Sequence, residues 1–212
     1  MEHVPPKCIF PEKKDLPKGF NFRKNLISVP SCDEHNSRKS TDDEYLMFVL
    51  ATTLGGNEHK LDHFKSKVMR AIQRRPHVFQ SFMQNQQPVL LVDEEGNKQT
   101  SVSYKIDEDR IDNIFKHIAH GLFFHHTGQK WTGDYWVFCP DFMVLEGDDP
   151  AKANETIQEI GERMNGQFTN IGKNGHNPDI FTYSLVSDDQ NRHALSMSFY
   201  RDFKAYVLLG DF

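Results

Sequence analysis

Five prolines fall within the first thirty residues, Pro5, Pro6, Pro11, Pro17 and Pro30, with Gly19 among them. Each proline lacks a backbone donor and disfavours the helical region for the residue before it. A long helix is therefore excluded from this stretch, which must be built of short strands joined by loops. Leu26-Ile27-Ser28-Val29 reads as one such strand.

Beyond residue 40 the pattern changes. Thr41-Asp42-Asp43-Glu44 matches a capping box, with Thr41 as N-cap, and the spacing predicts a buried helix from about 42 to Leu54, ended by Gly55-Gly56. In 59–75, Leu61, Phe64, Val68 and Ile72 recur at helical spacing up to Pro76, which predicts an amphipathic helix. Residues 88–106 alternate about a Glu95-Gly96-Asn97 turn as a hairpin does, and Ile111, Ile114, Phe115, Ile118 and Leu122 mark a helix over 108–124. Tyr135 to Leu145 is strand-like, with Pro140 pointing to an edge or a break. A helix follows from Asp149-Pro150 to about Met164, with Ile157, Ile160 and Met164 inward. Ile180 to Ser187, His193 to Tyr200 and Phe203 to Leu209 read as antiparallel strands. Together these elements make an α+β chain, divided as a small module over 1–54 and a mixed helical and antiparallel-sheet body over 55–212.

With 37% hydrophobic residues and 17 Phe, the composition is that of a globular chain. No apolar run approaches the length of a membrane span and no secretory signal opens the sequence, so a cytoplasmic protein without a membrane partner is expected. Three cysteines, Cys8, Cys32 and Cys139, cannot make a disulfide framework. The net charge of −5 disfavours a surface coated for nucleic acid, but 59–75 sets six basic residues against Asp62 alone. Lys65, Lys67, Arg70 and Arg74, with Lys39 upstream, are the candidate phosphate contacts.

The chemistry-bearing residues are in the proline-rich start. Glu2-His3 is an acid next to a histidine; Asn25-Leu26 follows 22 residues after His3, and Asn36 a further 11 residues on, behind Cys32-x-x-His35. This order resembles the HNH endonucleases of the ββα-metal fold. It is closer still to bacterial HNH proteins that carry Glu-His-Val-Pro-Pro-Lys, then Asn-Leu-Ile-x-Val-Pro-x-Cys, then an acidic Asp-Asp-Glu-Tyr helix start. The stretch His120-Gly121-Leu122-Phe123-Phe124-His125-His126 resembles that group as well.

The resemblance implies a metal-dependent endonuclease acting on DNA, with His3 as general base and Glu2 and Asn36 holding a Mg²⁺- or Mn²⁺-type ion. It further implies that Asn25 fixes the His3 ring. Such chemistry suits these residue types: histidine titrates near neutral pH, and carboxylate and amide oxygens suit a hard cation. Many such modules add a structural zinc. Here Cys32 and His35 make half a site, three ligands if Cys8 joins them, and a Cys-x-x-Cys encoded ahead of Glu2 would complete a four-ligand set with Cys32 and His35. The alternative is a catalytically degenerate module that keeps the scaffold to bind nucleic acid or protein.

Overall fold

The structure, a computed structural model, describes residues 1–31, 33–92 and 95–210, with 33–39 described as backbone only. The proline-rich start forms no long helix. Two short strands, β1 (Glu2–His3) and β2 (Ser28–Val29), pair antiparallel with Glu2 opposite Val29 and His3 opposite Ser28. The bond from the Val4 amide to the Ile27 carbonyl, 3.0 Å, extends the ladder by one residue. Between the strands lies a long excursion with 3₁₀ turns at Lys7–Ile9 and Lys13–Asp15.

Helix α1 spans Asp33–Thr52 and so starts well before the expected cap at Thr41. No proline or glycine separates Asp33 from Thr41, so nothing stops the helix from propagating back to the loop after Pro30. The acids of the supposed cap have other work. Asp42 pairs with Arg110 at 2.7 Å and Glu44 with Arg75 at 2.7 Å, while the Tyr45 hydroxyl accepts from the Asp107 amide at 2.8 Å. These contacts fasten α1 to the elements that follow it, and Leu46 to Leu50 are buried all round as expected.

The basic stretch is helical but not uniform. It runs as α2 (Glu58–His63), a π-helical turn (Phe64–Val68) and α3 (Met69–Arg74), then α4 (Pro76–Phe82). The wider turn rotates the buried face away from the 3.6-residue register. Leu61, expected inward, is 52% exposed, whereas Lys60 and His63 are buried. Lys60 Nζ caps the C-terminal end of α1, donating to the carbonyls of Thr53 and Gly55.

The hairpin forms from β3 (Gln87–Val92) and β4 (Lys98–Ser103). Helix α5 (Glu108–Thr127) buries Ile111, Ile114, Phe115, Ile118 and Leu122; Asp107 caps its start and left-handed Gly128 its end. The five-stranded sheet has the order β5-β9-β8-β7-β6 and is antiparallel throughout, from β5 (Tyr135–Phe138), β6 (Asn174–Asn177), β7 (Phe181–Ser187), β8 (His193–Phe199) and β9 (Phe203–Leu209). Strand β5 stops at Phe138 and not at Leu145, and it lies at a sheet edge, both of which suit Pro140. Helix α6 (Pro150–Gln167) starts at the expected Asp149-Pro150, but Ile160 is 38% exposed. The inward position is the neighbouring Gly161, where an added Cβ would stand 2.7 Å from Pro140.

One hydrophobic cluster runs through the chain, from Val4, Ile9 and Phe10 through α1 and α5 to Phe199 and Leu209. Residues 1–54 therefore share their core with the body. No helix among the described residues is long and apolar enough to cross a membrane.

Candidate active site at the N-terminal ribbon

His3 and Ser28 face each other across the β1–β2 ladder, and His3 Nδ1 lies 2.9 Å from Ser28 Oγ. A cross-strand neighbour on the same face is the natural partner for a ring on so short a ribbon. Asn25, the residue expected to fix that ring, is exposed in the left-handed region at φ 56°, and no hydrogen bond joins it to His3 among the described residues. Ser28 was legible only as a strand residue, because its role depends on the pairing register. Glu2, half-buried, adjoins His3 on β1, and Asn36 lies in the first turns of α1. Cys32 lies outside the described residues, as do the side chains of His35, Asn36 and Lys39. Strand, strand and helix thus follow one another in the chain as His3, Ser28 and Asn36 do.

The segment that follows β1 is held through its backbone. Three successive carbonyls supply the hold. The Cys8 carbonyl accepts from His63 Nε2 at 3.1 Å and from Lys67 Nζ at 3.0 Å. The Ile9 carbonyl accepts from the Tyr200 hydroxyl, and the Phe10 carbonyl from Arg23 Nε and Nη2 at 3.0 and 2.9 Å. Because a carbonyl can only accept, His63 carries its proton on Nε2, and Nδ1 is left buried without a partner among the described residues. Burial, reinforced by the nearby Lys67 charge, holds His63 down at about 3, so the ring is neutral. Lys67 is itself pushed down to about 8 by burial.

Of the four candidate phosphate contacts on the basic stretch, two are engaged within the chain. Lys67 and Arg70 turn toward the N-terminal excursion, Arg70 gripping Asp15 at 2.6 Å and Glu12 at 3.2 Å. Glu12 is held down at about 2, first by its bond from Lys14 and further by Arg23 and Lys67. Lys65 and Arg74 remain exposed, Arg74 Nε donating to the Arg70 carbonyl at 3.3 Å.

Cys8 is a packed thiol. Its Sγ donates to the Asp43 carbonyl at 3.0 Å, and burial pushes it up to about 12, so it is protonated. Among the described residues no group of three or more His, Cys, Asp or Glu side chains is arranged to hold a metal ion. His125 and His126 form the last turn of α5, with ring centres 6.2 Å apart. Cys139, just past β5, is partly buried and its thiol is raised by burial. A hollow of about 370 Å³ lies between Gln129–Gly133 and Gln190–Arg192, apart from the N-terminal set.

Helix α5 backs the ribbon at Gly121, where an added Cβ would meet Val4 Cγ2 at 2.7 Å. Only glycine permits that approach. Compared with known proteins, the chain matches no family model, no curated protein and no solved structure.

Proposed function

We propose that the chain is a metal-dependent HNH-type endonuclease that hydrolyses phosphodiester bonds in DNA, with His3 as general base. The observation that supports this reading best is the His3–Ser28 contact, on a two-stranded ribbon that leads directly into α1. With Nδ1–H donating to Ser28 Oγ, the free lone pair of His3 lies on Nε2, where it can take a proton from an attacking water. Ser28 is then the positioning residue of the ring. Glu2 and Asn36 would hold a Mg²⁺- or Mn²⁺-type ion that offsets charge on the phosphate; a carboxylate with an amide is a donor set for a hard cation that keeps several waters. The clamp on the carbonyls of Cys8, Ile9 and Phe10 supports this reading, since it holds the excursion that follows His3 and catalysis tolerates little looseness.

The test is nicking of supercoiled plasmid by the purified chain with Mg²⁺ or Mn²⁺. Cleavage is expected, His3→Ala should abolish it while DNA binding is kept, and Ser28→Ala should lower it by about tenfold, as loss of an orienting partner does. No cleavage with either metal, or cleavage that survives His3→Ala, overturns the enzyme and leaves a binding module on the same scaffold.

A further inference from the structure

The hollow between Gln129–Gly133 and Gln190–Arg192, about 370 Å³, is large enough for a small molecule, and Trp131 lines it. The indole is held in place. Its Nε1 donates to the Asp134 carbonyl at 3.0 Å, and Phe123 and His193 meet it edge-on with ring centres 5.6 and 5.4 Å away. Gly133 backs it closely, since an added Cβ there would stand 2.8 Å from the indole Cζ2. His193 is itself pinned, with Ser187 Oγ 2.7 Å from Nδ1 and Asn191 Oδ1 3.3 Å from Nε2. Among the described residues no ring is stacked on Trp131, whereas Trp136 stacks on Phe138 at 5.5 Å.

The groups around the indole both donate and accept. The side-chain amides of Gln129 and Gln190 and the Thr132 hydroxyl make no hydrogen bond within the chain among the described residues. Charge is balanced here: Arg192 is bound to Asp188 through Nε and Nη2, and Lys130 shares its loop with Asp134. We propose that the hollow takes one unpaired nucleobase, stacked on Trp131 and read along its edge by the amides of Gln129 and Gln190. A flat heteroaromatic ring suits an indole with no stacked partner, and its edge of donors and acceptors suits primary amides. Stacking and the amides, and not phosphate charge, then carry the affinity. The base comes from a free nucleotide or from a DNA strand, and the fold favours the strand. On α5, Gly121 meets Val4 beside His3 while Phe123, two residues on, lines the hollow, so about one helix diameter, ~10–12 Å, separates hollow and ribbon. Only the choice of the strand rests on the proposed endonuclease activity.

Trp136→Phe leaves Trp131 as the sole tryptophan and so a direct reporter. Titrated without metal, deoxyadenosine, dAMP and a single-stranded deoxyadenylate hexamer are each expected to quench its emission, with little salt dependence for the nucleoside. A hexamer that binds more tightly than dAMP identifies the strand as the source; equal affinities identify the free nucleotide, and both sustain the base. Trp131→Ala should weaken binding of a labelled hexamer about tenfold or more, and Gln190→Ala, at an exposed position that does not threaten the fold, severalfold. His3→Ala should bind as the parent chain does, so a protein that never cuts DNA can still pass this test. Absence of quenching by all three ligands overturns the proposal, as does binding indifferent to both Trp131→Ala and Gln190→Ala. Equal affinity for the hexamer in a duplex overturns it too, and quenching by maltose but not by deoxyadenosine would assign the hollow to a sugar.

Discussion

Arg70 holds Asp15 with two parallel contacts, Nη1 to Oδ1 at 2.9 Å and Nη2 to Oδ2 at 2.6 Å, and so joins α3 to the excursion between β1 and β2. A fork on a carboxylate is the strong form of an ion pair, although the arginine is about one-third exposed and the pair is screened. Arg70→Gln is expected to lower unfolding free energy by about 1 kcal/mol. The salt dependence of any DNA binding should be unchanged, because this guanidinium faces protein. A reduced log-log slope for Arg70→Gln in binding titrations would return it to the surface role read from the sequence.

His63 makes stability depend on pH. Its pKa falls from an ordinary 6.5 to about 3 on folding, so between these values the unfolded chain binds more protons than the folded one. The contribution is complete above pH 6.5 and is lost as pH falls toward 3, at up to about 1.4 kcal/mol per pH unit. His63→Gln can still donate to the Cys8 carbonyl and does not titrate. Urea melts of parent and variant between pH 4 and 7 should therefore converge as pH falls. A constant difference across that range would show that His63 is not buried as a neutral ring.

Gly121 is a packing requirement of the ribbon. Gly121→Ala pushes a methyl against Val4 and should destabilise the chain by about 1–3 kcal/mol, as overpacking does. Val4→Ala in the same chain makes room, so the double variant should be more stable than the sum of the single changes predicts. Additive losses in a double-mutant cycle would mean that α5 and β1 are not in contact.

The parts of the fold legible in the sequence were those where local pattern and tertiary environment agree. Helix α5 shows this with its apolar face and its Asp107 and Gly128 ends, and β7 to β9 show it with their alternation. The failures have separate causes. Thr41–Glu44 has the composition of a cap, but Asp42 and Glu44 are bound to arginines distant in sequence, which no local pattern reveals. The Leu61 stripe assumed a constant helical period, and the π turn at Phe64–Val68 breaks it. Strand β6, Asn174-Gly175-His176-Asn177, carries no apolar alternation and is held at the sheet edge by backbone pairing with a register shift. At the candidate site, the order of Glu2, His3, Asn25 and Asn36 was readable because it is linear. The partner of His3 and the clamp were not, since Ser28 depends on register and His63, Lys67 and Tyr200 approach from far along the chain.

The bond between Tyr200 and Ile9 joins residues 191 positions apart. Closing so large a loop is entropically costly and slow, so contacts of this kind form late in folding. The excursion between β1 and β2 is thus among the last segments to be fixed. Until β8 is in place, the Ile9 anchor beside the His3 strand cannot close, and a nascent chain holds its proposed base without the geometry to use it.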